Sequence, residues 1–263
     1  MRRFLFVVFS LLFIFTCNKD EVDQIEVNIP IGITVPEGMV YIPDGGFIMG
    51  HSDYPDTEKG KVINMEAFLI DRFEVTRGQF SIFNPDYSFH PQKARFPVSM
   101  VTFEQAQGYC KWNGRRLPTE AEWEKSARGP DGRKWPWKIY HEHPNNGFSG
   151  FLPEAVDSRE EWVSPYGVYG MGHNVWEWVS DWYISDKTPK ADSKRYKVIR
   201  GGLTQTHTAI KFTPTYFRNK MEPTAHFNFI GFRCACSVDC RQREYMKELT
   251  GKGYFKSLRG DDS

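Results

Sequence analysis

The chain opens with Met1-Arg2-Arg3 and then a near-continuous apolar run from Phe4 to Phe15. A basic lead before an apolar stretch too short to span a bilayer comfortably is the pattern of an export signal. Asn18 to Val35 is polar and acidic with scattered Val and Ile and no helical period, which predicts a tether. From Pro36 the pattern changes. Met39, Tyr41, Phe47 and Met49 are spaced as inward positions of two short strands around a glycine turn, and Phe68 to Val75 predicts a further strand. Three Thr-x-x-Gln/Glu segments follow, at Thr76 to Gln79, Thr102 to Gln105 and Thr119 to Glu122. Each places a hydroxyl and a carbonyl-bearing side chain where they can close a helix N-terminus reciprocally, so three short helices are expected. Gly114 and Gly129 stand where the second and third should end. Trp135 to Tyr183 is rich in Trp, Pro, Gly and Asn and keeps no period, which predicts mostly loops whose backbone groups need side-chain or ion partners. Lys197 to Arg200 and Ile230 to Cys236 read as short strands, and the charged stretch from Arg241 to Ser263 as a frayed helix and tail.

Composition narrows the picture. With 263 residues, 40% hydrophobic and 16% aromatic, the chain can bury one sizeable core, so one domain with flanking segments is expected. Lys+Arg 34 against Asp+Glu 33 leaves a formal charge of +1, which gives no global footprint for nucleic acid. Cys17, at the border of the apolar run, resembles the acylated residue of a bacterial lipoprotein, although Thr16 and Phe15 are bulkier than the usual approach to it. The resulting division is a signal peptide over 1–17, a tether over 18–36, a folded domain over 37–240 and a charged tail over 241–263. The expected location is the bacterial cell envelope, periplasmic or outer surface, with the membrane as a partner through the lipid; a secreted protein or a short signal anchor is the alternative. Export also places Cys110, Cys234, Cys236 and Cys240 in an oxidising compartment, where bridged cysteines are the norm.

Several unusual motifs occur in one order: Gly46-Phe-Ile-Met-Gly50, Phe73-Glu-Val-Thr76, Tyr109-Cys-Lys-Trp112, Arg116-Leu-Pro-Thr-Glu-Ala-Glu-Trp-Glu124, Trp135-Pro-Trp137, Asn174-Val-Trp-Glu-Trp178, Arg200-Gly-Gly202 and Gly231-Phe-Arg233. Together they resemble the formylglycine-generating-enzyme, or sulfatase-modifying-factor, family from about Glu37 to Ala235. The resemblance implies an α+β, loop-rich fold related to the C-type lectin fold. It also implies oxidation of a client cysteine with oxygen and a copper ion held by two thiolates, a ligand type suited to Cu(I). Here the chain departs from the family. No cysteine lies between Cys110 and Cys234, and the thiolate positions fall near Thr206 and Lys211, with His207 alongside. Copper is therefore not expected, and no catalytic residue is assigned. The resemblance further implies a disulfide between Cys110 and Cys234, and structural calcium held at Asn174 and Glu177 with a second site near Asn146. His173 and Gly170 depart from the residues expected around those sites. Cys236 and Cys240 have no assigned family partners: either they pair with each other or one is a free thiol.

The function expected from this reading is a membrane-anchored, non-oxidative binding or scaffold module for a protein, peptide or glycan. Trp135, Trp137, Trp162, Tyr166 and His207 are its candidate contacts. One alternative is formylglycine-type oxidation with relocated ligands, for which Cys236 and Cys240 are the remaining thiols. Another is a surface adhesin acting through Arg259-Gly260-Asp261.

Overall fold

A computed structural model describes residues 24–52, 54, 59–137, 153–185, 194–205 and 210–240. Its strands are β1 (Met39–Ile42), β2 (Gly45–Gly50), β3 (Lys59–Met65), β4 (Phe68–Asp71), β5 (Trp176–Trp182), β6 (Lys197–Gly201), β7 (Leu203–Gln205), β8 (Ile210–Phe212), β9 (Arg218–Met221), β10 (Ile230–Gly231) and β11 (Ala235–Ser237). Its α-helices are α1 (Arg77–Phe83), α2 (Phe103–Trp112) and α3 (Glu120–Arg128).

All three helices start as the sequence predicts. Thr76, Thr102 and Thr119 accept the backbone N–H of Gln79, Gln105 and Glu122, whose side chains accept the threonine N–H in return. Each reciprocal pair satisfies two donors that a helix start leaves open. Gly114 and Gly129, at φ 70° and 68°, take the left-handed backbone expected just past α2 and α3.

Two sheets divide the interior. β1, β4 and β11 form an antiparallel sheet with β4 at its centre, and a second sheet runs in the order β10-β5-β6-β9, parallel only between β10 and β5. Alternation along β1 sends Val40 and Ile42 into a central core with Ile70, Trp123, Ala127, Val179 and Val198, while Met39 and Tyr41 join Leu69 and Cys236 in a smaller one behind. Across the second sheet, Trp176, Trp178 and Ile199 pack with Phe80 of α1, Ala106 and Tyr109 of α2 and Phe232. The central core thus lies between the two sheets with α3 inserted beside it. Two-stranded β2-β3 and β7-β8 ribbons complete the architecture.

One expectation needs correction, and two sets of strands went unannounced by the pattern. β1 and β2 are both strands, but they do not pair with each other: β1 pairs with β4, and β2 with β3. The expected loop region from Trp135 to Tyr183 contains β5, the strand flanked by β10 and β6. Strand β5 is buried on both faces over Trp176 to Val179, so it carries no apolar-polar alternation to betray it. The short ribbons β7 and β8 and the edge strand β9 were equally silent in the pattern.

Candidate functional site

The Arg200-Gly-Gly202 turn fixes where the chain leaves the second sheet. Arg200 is fully buried and donates to Glu120 Oε1 and Glu124 Oε2, each at 2.7 Å, and its guanidinium lies 5.2 Å from the ring centroid of Trp123. Glu124 also takes Arg128 Nη1 at 2.7 Å and the Gly50 N–H at 2.6 Å. Gly201 and Gly202, at φ 72° and 71°, lie so close to the indoles of Trp123 and Trp176 that a Cβ at either position would collide. Glycine is required there for both backbone sign and space. The chain then enters β7, whose register with β8 sets Leu203 opposite Phe212 and Thr204 opposite Lys211. Of Thr206 and Lys211, Lys211 is on β8 and Thr206 lies outside the described residues.

Behind this ribbon sits an aromatic cluster of Trp137, Trp162 and Phe212, with Trp135 and Leu203 against it. Phe212 is 4.7 Å from Trp137 and 4.8 Å from Trp162, centroid to centroid, and His173 is 5.0 Å from Trp162. The expected contact surface is corrected here. Trp137 and Trp162 are each 4% exposed, and Tyr166, at 9%, packs in the central core with Val168 and Trp123. The apolar area of these rings is spent on holding loops together, which is the larger free-energy term for an aromatic side chain. Trp135 alone of the four is half-buried, stacked nearly parallel on Trp137 at 6.3 Å. His207, Asn146, Cys17 and the Arg259-Gly260-Asp261 tripeptide lie outside the described residues.

The two metal candidates on β5 and its approach are brought close, with their oxygens already engaged. Asn174, at φ 68°, accepts the Glu154 N–H on Oδ1 at 3.0 Å and donates its amide to Glu74 Oε1 at 3.0 Å. Glu177 accepts Arg233 Nη2 on Oε1 and both Arg233 Nε and Trp123 Nε1 on Oε2, at 2.7 to 2.9 Å. A calcium ion needs six to eight oxygens turned toward it at about 2.3–2.6 Å. A guanidinium within hydrogen-bond distance of both Glu177 oxygens repels such an ion and uses the lone pairs it would need. The residues present at Asn174 and Glu177 do not fit calcium, and among the described residues no group of three His, Cys, Asp or Glu side chains could hold a metal.

Two further buried carboxylates meet this region. Asp71 pairs with Arg115 and accepts the Cys234 N–H at 2.8 Å, yet burial pushes its carboxyl above the usual range. Burial also pushes Glu74 up to about 7, against the opposing pull of Arg233, whose Nη2 is 3.9 Å away. Oε2 of Glu74 has no hydrogen-bond partner. Sequence reading placed Glu74, Arg200 and Arg233 inside motifs without giving them roles. The signal that could have exposed them is a charge set between apolar neighbours, as in Phe73-Glu74-Val75 and Phe232-Arg233-Cys234.

The cysteines are settled by geometry. Cys110 of α2 is bridged to Cys234, 124 residues on, and Cys236 is bridged to Cys240. The first bridge is the one implied by the motifs, and the second decides between the two alternatives left open for Cys236 and Cys240.

Known proteins agree with this architecture. The Treponema denticola variable protein 1 structure superposes with a TM-score of 0.61 at 21% identity, over 76% of this chain and 94% of that one, which speaks for the fold alone. A Bacillus subtilis protein, YfmG, is 26% identical over 271 residues, and the chain spans 78% of itself but only 55% of that protein's length. The Bos taurus formylglycine-generating enzyme is 28% identical over 283 residues, covering 76% of this chain and 75% of the enzyme. The Mus musculus inactive C-alpha-formylglycine-generating enzyme 2 is 26% identical over 282 residues, covering 80% and 89%. Proteins named as an enzyme and as its inactive counterpart thus resemble this chain about equally, so likeness alone does not decide catalysis. Residues 32–238 match the sulfatase-modifying factor enzyme 1-like domain, and with the motifs, the glycine turn and the paired sheets in place, the chain belongs to that family.

Proposed function

We propose that this chain is a non-oxidative member of its family: a binding or scaffold module for a protein, peptide or glycan, held at the bacterial cell envelope by a lipid on Cys17. The observation that carries this reading is the state of its thiols. The chain has five cysteines; four are consumed in the Cys110–Cys234 and Cys236–Cys240 bridges, and the fifth, Cys17, lies beside the N-terminal apolar run. No thiolate is left at the β7-β8 ribbon to bind Cu(I), and neither an amine nor a hydroxyl replaces a soft ligand. The bridging of Cys236 to Cys240 also counts against their service as relocated ligands. Half-buried Trp135 is the best-supported contact, since its ring is held flat on Trp137 and loses little freedom on binding.

The test is a Cu(I) titration of the Cys17→Ser protein together with incubation of a Cys-x-Pro-x-Arg peptide under oxygen. No stoichiometric copper binding and no change in peptide mass are expected, whereas tight binding or conversion to the aldehyde would end the proposal. A photo-crosslinking residue at position 135, expressed in the native envelope, is expected to yield a discrete adduct, and a lipidated protein that yields none would remove the binding role.

A further inference from the structure

The oxygens around Arg233 are arranged as a cation site would be. Arg233 is fully buried and carries five N–H donors, and each has an acceptor. Nε donates to Glu177 Oε2 at 2.7 Å. Nη1 donates to the carbonyls of Asp71 and Arg72 at 3.1 and 3.3 Å, and Nη2 to the Tyr169 carbonyl and Glu177 Oε1, both at 2.7 Å. Three backbone carbonyls and a bidentate carboxylate therefore converge on one point from three separate segments: the end of β4, the loop before β5, and β5 itself. Converging carbonyls with a carboxylate are the ligand set of a hard structural ion in a loop-rich domain. Here a side chain of the same protein supplies the positive charge.

We propose that Arg233 is the resident cation of this loop core: its guanidinium takes the place of a structural metal ion at Glu177, so that this part of the fold forms without calcium. The physical advantage is geometric. A guanidinium is planar and forked, is always charged, and matches a carboxylate on one edge while its remaining donors reach carbonyls on the other. Being covalently attached between Phe232 and Cys234, it arrives with the β10–β11 link that the Cys110–Cys234 bridge already fixes. The Trp123 indole completes the shell by donating to Glu177 Oε2 at 2.9 Å.

The experiment compares thermal unfolding of the full chain in chelator and in calcium, for the parent protein and for Arg233→Ala, with and without added methylguanidinium. The parent is expected to melt at one temperature in both solutions. Arg233→Ala removes a buried positive charge and its five donors, leaving the Glu177 carboxylate with the Trp123 indole, and a melting temperature lower by roughly 10 °C is expected for a domain of this size. Partial recovery in methylguanidinium is expected for the variant and not for the parent. Should Arg233→Ala yield no folded protein, Arg233→Lys, which keeps charge but offers three donors in place of five, is expected to melt below the parent, and a Lys variant that melts with the parent overturns the proposal. A chelator-induced drop in the parent that is abolished by Glu177→Gln overturns the proposal, because an ion would then be bound at Glu177. So does an Arg233→Ala protein that melts with the parent. A chelator effect that persists undiminished in Glu177→Gln puts the ion at another site and leaves Arg233 as the cation here.

Discussion

Glu74 is a fully buried carboxyl with one oxygen left without a donor. One of its oxygens takes the Asn174 amide and the other takes no donor, while Arg233 spends its short contacts on Glu177. Burial therefore favours the neutral acid, with a folded-state value near 7 against an ordinary value of 4.5. Because the folded state holds this proton more tightly than the unfolded one, its contribution to stability is complete below about pH 4.5 and is lost as pH rises through about 7. Glu74→Gln is expected to remove that slope from a melting-temperature profile between pH 5 and 8 and to be the more stable protein at the alkaline end. A variant with the parent's slope would show that another group titrates. Nothing in the sequence revealed this state, since a glutamate between Phe73 and Val75 is legible as a strand residue and its partners come from positions 100 and more residues away.

At the scale of elements, local chemistry was read well where it is local. The three Thr caps and the glycines behind α2 and α3 depend on residues within four positions of one another, and all were visible. Thr119→Ala removes the hydroxyl that accepts the Glu122 N–H and the reciprocal clasp at the start of α3, a helix with Trp123 fully buried. A loss of about 1 kcal/mol is expected in denaturant unfolding, at unchanged slope. A neutral result would mean that Arg116, which donates to both Glu122 oxygens at 2.6 and 2.7 Å, holds that turn unaided. Strand β5 marks the opposite case. Its first four residues are all buried, between β10 and β6 and against α2 and α3, so the two-residue period that identifies a half-buried strand never develops.

For the whole molecule, the Cys110–Cys234 bridge joins α2 to the approach of β11 and closes the longest covalent loop in the fold. In the chain-entropy description a loop of that length is worth about 4 to 5 kcal/mol, against about 2 for the five-residue loop closed by Cys236 and Cys240. A Cys110→Ala/Cys234→Ala protein is accordingly expected to unfold at markedly lower denaturant than Cys236→Ala/Cys240→Ala, and equal midpoints would argue that the short bridge carries the load. The sequence by itself determined the family, the fold class, the helix starts and the absence of cysteine between Cys110 and Cys234. Each of these is a matter of residue identity or short spacing. Only the tertiary structure decided that Trp137, Trp162 and Tyr166 face inward, that Cys236 and Cys240 pair, and that Glu177, one of the residues expected to hold an ion, is paired with Arg233. Burial and charge compensation are sums over segments far apart in the chain, and no local pattern records them.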